Sequence, residues 1–300
     1  MKQSFNPQNA DLLVNINGEL LHRDEAKISV FDSLVQGGDG CWEGLRVYQG
    51  KIFRLGQHIQ RLFHSAKALD IQGVPTEAEI REQIHRTLEA NQMHDNAHIR
   101  LTLSRGLKVT SGMDPRLNQF GPTLIVVAEH KAPVYDKGGL SLITSSVRRF
   151  PADCMDPKIH HNNLIQSIMA KIEANYAGAD DALMLDTRGF VAETNATHVF
   201  MVEDGVLKTS HTVACPEGVT RSTVLQLCRE QNIPHEVTDL SQAEFYRAAE
   251  VFCTGTMGEL AAVTTIDGRT IADGKMGPLT ERLSGLYSAL TKNESEAILG

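Results

Sequence analysis

The chain has 300 residues, 41% of them hydrophobic and 22% charged, with a formal net charge of −8; this is globular composition, enough for about two domains around a sizeable core. The acidic balance and the lack of any Lys/Arg run exclude nucleic acid and anionic lipid as partners, because neither would meet a basic stripe. The five cysteines (Cys41, Cys154, Cys215, Cys228 and Cys253) are widely spaced without a C-x-x-C, the N-terminus lacks a signal-like apolar stretch, and no apolar run reaches membrane length; the expectation is a cytoplasmic protein without disulfides.

Hairpins punctuate the chain. Asn17-Gly18, Gln49-Gly50, Asp204-Gly205 and Asp267-Gly268 each sit between short apolar or β-branched runs, the mark of tight turns between strands. The segment QGGDGCWEG at 36–44 has the glycine content of a phosphate loop, but GLRVYQGKIF follows it as strand and turn instead of helix, so close strand packing is the plainer reading. Residues 57–69 place Ile59, Leu62, Phe63, Ala66 and Leu69 on one helical stripe. Residues 76–91 repeat the pattern with Ile80, Ile84 and Leu88 behind a Thr76/Glu79 capping box. After the strand-like TLIVVA, the stretch 128–140 is rich in Pro, Gly and charge. It divides the chain into a domain at 1–130, a linker at 131–139 and a domain at 140–300. A third helical pattern, 162–176, carries Leu164, Ile165, Ile168, Met169 and Ile172.

Cys154, Asp156, His160 and His161 suggest a metal at first sight. Adjacent histidines in an extended backbone point to opposite faces, and zinc needs three or four convergent ligands, so no metal is expected there. The chemistry lies in residues 158–200. Lys158 follows Pro157 just before an apolar helix; the strand DALMLD comes next, then GFVAETNATHVF, in which acidic Glu193 opens a small polar stretch. A lysine that forms an imine needs an enclosed site where it can shed its proton. A carboxylate beside a pyridine nitrogen keeps that nitrogen protonated and the ring an electron sink.

These motifs resemble the class IV aminotransferases, the group of branched-chain and D-amino-acid aminotransferases and aminodeoxychorismate lyase. Lys158 and Glu193 stand 35 positions apart, as the family's lysine and glutamate do. QGKIFRLGQHIQRLFHSAKAL at 49–69 is similar to the family's NGKIFRLxxHIxRLxxSAKxL. Glu217-Gly218-Val219-Thr220-Arg221 resembles its P-G-I-T-R turn, and Thr254-Gly255-Thr256-Met257-Gly258-Glu259 its S-G-T-A-x-E turn. The resemblance covers nearly the whole sequence. It implies an α+β, two-domain fold type IV architecture, with a small α/β domain followed by a larger β-rich pseudo-barrel domain. It also implies pyridoxal 5′-phosphate (PLP) as cofactor and a homodimer whose sites borrow residues from the neighbour.

By the same resemblance Lys158 is the Schiff-base lysine and general acid/base, Glu193 the pyridine-nitrogen partner and Arg61 the phosphate arginine. Val219 and Thr220 add phosphate donors at a helix N-terminus, Thr256 adds a hydroxyl, and Met257 lines the substrate pocket. Several positions depart from the pattern. Asn163 replaces the tyrosine that holds the cofactor's phenolic oxygen in branched-chain enzymes, His198 replaces an asparagine, and Pro216 the leucine of the ring face. The tyrosine of the N-terminal substrate wall has no counterpart near Val35 to Gly38. GGDGCWEG, with Trp42, resembles the D-amino-acid enzymes' FGDGVYE, whereas WEGLR resembles the motif F-E-G-I-R of the branched-chain enzymes.

The implied reaction is a ping-pong transfer of an amino group from an amino acid to a 2-oxo acid, with an L-branched-chain-like substrate set first. A D-amino-acid or (R)-amine transaminase is the alternative, an aminodeoxychorismate lyase stands further back, and a non-catalytic PLP-fold binding protein is the rival of another class. Two arginines compete for the substrate carboxylate. Arg100, in Ala97-His98-Ile99-Arg100-Leu101, resembles the Y-I-R strand of the branched-chain enzymes with His98 at the tyrosine. Arg116, in Pro115-Arg116-Leu117-Asn118-Gln119-Phe120, resembles the P-R-N-H-Q-F loop of the D-amino-acid enzymes. The expectation takes Arg116 as a loop clamp and Arg100 as a pocket-wall residue, with Leu101 facing the core.

Overall fold

The computed structural model describes residues 4–131 and 139–299. They fall into two compact units. The N-terminal unit takes the described residues of 2–132, 159–163 and 291–300; the C-terminal unit takes those of 133–158 and 164–290. Most of the expected linker at 131–139 lies outside the described residues. Two short stretches that a contiguous boundary assigns to the second unit, 159–163 and 291–300, thus pack with the first.

In the N-terminal unit β1 (Leu13–Ile16), β2 (Glu19–His22), β3 (Gly40–Tyr48), β4 (Lys51–Phe53), β5 (Ala97–Ser104) and β6 (Thr123–His130) are joined at one edge by a strand from the C-terminal tail, β16 (Ser295–Ala297). The antiparallel order is β16-β4-β3-β5-β6-β1-β2. A short α1 (Ser33–Gly37) precedes β3, and α2 (Leu55–Ala68) and α3 (Glu77–Ala90) lie against the sheet. The expected stripes are the ones that turn inward: Ile59, Leu62, Ala66, Ile80, Ile84 and Leu88 are buried with Leu45, Val47, Ile99 and Leu101 from the sheet. Each large apolar side chain buried in this way contributes roughly 1.5–3 kcal/mol of transfer free energy. The Thr76/Glu79 capping box forms in both directions, with Glu79 N donating to Thr76 Oγ1 and Thr76 N donating to Glu79 Oε2. At Gly40 an added Cβ would lie 2.6 Å from the Leu103 carbonyl oxygen. Close strand packing is therefore what the glycine-rich segment serves at that position.

The C-terminal unit holds β7 (Leu140–Thr144), α4 (Ile165–Tyr176), β8 (Asp181–Leu185), β9 (Val191–Thr194), β10 (His198–Glu203), β11 (Val206–Thr209), α5 (Val219–Glu230), β12 (His235–Val237), α6 (Gln242–Arg247), β13 (Glu250–Gly255), β14 (Glu259–Ile266), β15 (Arg269–Thr270) and most of α7 (Pro278–Asn293). The strands follow the path β12-β11-β10-β13-β14-β7-β8-β9, with β15 on β14. β9 closes back towards β10, which curls the sheet. The four expected hairpin dipeptides all turn with positive φ at both residues, as a two-residue turn between twisted strands requires. The helix expected at 162–176 forms as α4, but Ile165, Ile168, Met169 and Ile172 are exposed, and the small Ala170 and Ala174 pack against Ala182 and Met184.

Candidate active site

In the C-terminal unit the stretch from Glu193 to His198 is built by side chains that stand in for strand hydrogen bonds. Asn195 Oδ1 accepts from Ala182 N at 2.7 Å while its own backbone N donates to Ala182 O, and Thr194 Oγ1 meets Thr197 Oγ1 at 2.8 Å. This is why small polar residues follow the glutamate. The turn leaves Glu193 buried at the end of β9. The Arg149 guanidinium forms an ion pair with its Oε1, without the geometry of a regular hydrogen bond, and donates to Ser167 Oγ at 3.1 Å. His198 Nδ1 lies 3.8 Å from Glu193 Oε2.

Cys215 completes this cluster. Ligand atoms of Glu193, His198 and Cys215 all lie within 4.8 Å of one another. Burial pushes the Cys215 thiol up to about 11 against the pull of Arg149, Arg221 and Lys158. Arg149, Arg221 and Lys158 there face two carboxylates, Glu193 and Glu217, and this small excess of cation suits an anion better than a metal ion. Lys158 itself sits in the loop before α4. Its Nζ donates to the Thr212 carbonyl and to Thr212 Oγ1, both at 2.6 Å, and lies 3.3 Å from Glu217 Oε1.

Of the remaining expected residues of this unit, Val219 and Thr220 begin the helix whose cap meets His198. Gly218 is the N-cap of α5, and a Cβ there would fall 2.3 Å from the His198 ring. A glycine cap supplies no side-chain acceptor, so the first turn at Val219 and Thr220, both buried, keeps donors for a ligand. Across the ladder His198 pairs with Thr254, whose Oγ1 is buried with no hydrogen-bond partner among the described residues. Thr256 and Met257 follow in the half-buried connection to β14.

In the N-terminal unit the sheet separates two polar groups. On the helix-covered face, fully buried Glu43 accepts from Arg61 Nε and Nη2, each at 2.7 Å, and meets His58 Nδ1 at 2.6 Å. Burial alone would raise the Glu43 carboxyl, but Arg61 and His160 hold it well below the usual range. Burial and then Arg61 depress His160, so its contact with Glu43 at 3.4 Å is ion to dipole.

On the other face β3 and β5 set Trp42 opposite Thr102, Gly44 opposite Arg100 and Arg46 opposite His98. The Arg100 guanidinium lies 3.5 Å over the Trp42 ring, and Arg100 Nη2 donates to Asn162 Oδ1 at 3.0 Å. Burial lowers Arg100 to about 10, and burial with Lys131, Arg100 and Arg46 lowers His98 to about 3, so His98 is neutral. Leu101 is buried in the core, as the strand alternation requires.

Arg116 stands apart. It is exposed, in a short 3-10 turn, and its guanidinium forks onto Asp114 two residues away. Asn163 is also exposed and donates to the Gly37 carbonyl at 3.4 Å. His160 bonds the Trp42 carbonyl through Nδ1 at 2.5 Å, and His161 bridges Cys41, so the two histidines serve the strand junction. The sequence reading missed Arg149, Glu43, Asn162 and the place of His160. An arginine pair inside VRRF and an acid inside the apolar run CWEGLRV were the available signals.

The curled sheet carries a buried carboxylate paired with an arginine, and the amino-transferase class IV family profile matches residues 40–266. The chain belongs to that family. It is 54% identical to branched-chain-amino-acid aminotransferase-like protein 1 of Arabidopsis thaliana over 97% of this chain, and spans about half (53%) of that relative's length. It is 34% identical to the D-alanine aminotransferase of Bacillus licheniformis, over 90% of this chain and 94% of the relative. Among solved structures, the T.th. branched-chain amino acid aminotransferase with pyridoxamine 5′-phosphate superposes with a TM-score of 0.89 at 32% identity, covering 96% of this chain and 99% of that one. No helix among the described residues is long and apolar enough to cross a membrane.

Proposed function

We propose that this chain is a PLP-dependent aminotransferase that moves the amino group of a branched-chain-like amino acid to a 2-oxo acid by a ping-pong mechanism. The carrying observation is Glu193, a buried carboxylate held by Arg149 and clustered with His198 and with Cys215, whose thiol feels Lys158. The donor set fits the cofactor. Orphaned hydroxyls at Ser210 and Thr254, the open first turn at Val219 and Thr220, and the excess of cations all suit a phosphorylated ring. When bound at Lys158, the cofactor would supply an electron sink for charge developing at the substrate Cα. Lys158, freed when the substrate amine takes its place on the cofactor, would move the Cα proton, and Glu193 would keep the ring nitrogen protonated while Arg149, with His198 at 3.8 Å, would orient its carboxylate. Arg61, Thr256 and Asn163 are assigned to the cofactor and Met257, Trp42 and His98 to the substrate.

The geometry favours Arg100 over Arg116 as the carboxylate receptor. Arg100 is half-buried, stacked on Trp42 and bonded to a neutral amide, so its charge is available to an incoming anion. Neutral His98 and short Asn163 where branched-chain enzymes carry tyrosines favour the second reading, a D-amino-acid or (R)-amine transaminase. Assembly as a homodimer is part of the proposal and is supported by the exposed apolar stripe of α4; sedimentation tests it. Five unpaired thiols support a reducing compartment such as the cytoplasm. A panel of L- and D-amino acids and amines against 2-oxoglutarate and pyruvate tests the reaction. Turnover is expected with branched-chain donors and none with Lys158→Ala; full activity of that variant overturns the assignment.

A further inference from the structure

Within the C-terminal unit Lys158 does not stand free. Its Nζ donates to the Thr212 carbonyl oxygen and to Thr212 Oγ1, each at 2.6 Å, and forms an ion pair with Glu217 Oε1 at 3.3 Å. A lysine ammonium has three N–H donors and no acceptor. A carbonyl, a hydroxyl and a carboxylate therefore match its charged form group for group. The contact lies at an open edge: the Glu217 side chain is 74% exposed, against 5% for Glu193. Among the described residues Lys158 pairs with no other carboxylate, Glu193 included.

Local structure fixes both sides of this contact. Lys158 N donates to Asp156 Oδ1 at 2.9 Å, which closes the turn around Pro157 and leaves the flexible side chain as the part that can swing. Thr212 and Glu217 flank Ala214 and Cys215, which are buried, and Glu217 precedes Gly218, the N-cap of α5. The Cys215 thiol, which clusters with Glu193 and His198, feels both Lys158 and Glu217, so the contact borders that cluster. Glu217 stands at the proline of the P-G-I-T-R motif; the acid belongs to this chain and not to the motif.

We infer that Thr212 and Glu217 form a seat for the free ammonium of Lys158, which the amine occupies when it does not carry the cofactor. The inference rests on the proposed reading of Lys158 as the cofactor's lysine. Glu217 is a positioning residue, because it acts through Lys158. Before Nζ can bond the aldehyde carbon of PLP it must leave the seat and give a proton to solvent; condensation then forms the carbon–nitrogen double bond and releases one water. The seat stabilises the cofactor-free protein. It therefore opposes PLP, and it does not oppose a ligand of the same shape that leaves the lysine where it is.

The test measures dissociation constants of the apoprotein for PLP and for 4′-deoxypyridoxine 5′-phosphate, which lacks the aldehyde, by titration calorimetry at one pH and salt concentration. The ratio of the second constant to the first isolates the lysine, because the charge of Glu217 acts on the phosphate of both ligands alike. Glu217→Gln should raise that ratio about two- to fivefold by tightening PLP, the range for an ion pair open to water. Thr212→Val, which removes the hydroxyl and keeps the shape, should raise it about twofold. An unchanged ratio in Glu217→Gln, with both constants moving together or not at all, overturns the seat alone. Lys158→Ala should bring the ratio close to one. If Lys158→Ala keeps the wild-type ratio, another group carries the cofactor, and the reading of Lys158 falls together with the seat.

Discussion

Each unit buries one strand carboxylate beside an arginine, and the two differ in what is left over. Glu43 is saturated: Arg61 takes both oxygens and His58 takes a further lone pair, all at 2.7 Å or less. Glu193 has the Arg149 ion pair, and His198 stays at 3.8 Å, beyond hydrogen-bond reach. A buried acid ringed by three close donors holds those donors in place. One with spare acceptor capacity beside unpartnered donors is poised to meet a ligand. The same residue type on the same kind of strand thus serves two ends, and the difference lies in how many donors the neighbouring elements aim at it.

That contrast breaks or stands on paired substitutions. Glu43→Gln leaves buried His58 and half-buried Arg61 without their anion and should cost about 3–5 kcal/mol of unfolding free energy, read by urea denaturation. The folded carboxyl titrates below its unfolded value. Its contribution is therefore present above the unfolded carboxylate pKa, about 4.3, and lost as pH falls below that. The gap between wild type and Glu43→Gln should close on acidification. Glu193→Gln keeps an acceptor for Arg149 and should cost less stability, about 1–2 kcal/mol, while slowing the amino-donor half-reaction about 100-fold in stopped flow. Equal stability losses with no kinetic difference would erase the distinction.

The elements that local chemistry specifies were legible in the sequence. The four hairpin dipeptides and the Thr76/Glu79 box need only their own neighbours, and each forms. Lys158 and Glu193 stand out in the sequence through their motifs, and Glu193 is buried beside Arg149. What stayed hidden depends on distant partners. Arg149 meets Glu193 across 44 positions (193 minus 149), and Glu43 meets His58 and Arg61 only once α2 lies on β3. Periodicity found α4 but not its buried side. Close approach to β8 uses Ala170 and Ala174, and the large apolar residues are left outside.

The receptor reading makes a pH-dependent demand. An arginine in water stays charged past pH 12, whereas burial brings Arg100 down to about 10. Carboxylate binding needs the cation, so it is retained below that value and lost as pH rises through it. KM for an amino acid should climb about tenfold for each pH unit above about 10, and KM for an amine without a carboxylate should not follow. Arg100→Ala should flatten the difference between the two substrate classes at every pH.

The smallest effect is expected at Arg116, and it decides between the two arginines. Its guanidinium is held by Asp114 within a single turn, and the Asp114 carboxyl falls to about 2 under the hydrogen bonds from Arg116. Both side chains are open to water, where the charge of Arg116 is screened and already has a partner. To take a substrate carboxylate, Arg116 would have to release Asp114 and order an exposed loop, a cost that Arg100 does not face on its rigid strand. Arg116→Ala should therefore leave KM for amino acids within about twofold of wild type. Asp114→Asn frees the guanidinium, and under the same reading it should change KM just as little. If Arg116→Ala raises KM for amino acids and spares amines, or Asp114→Asn lowers it, the carboxylate is read from the loop and Arg100 is a wall.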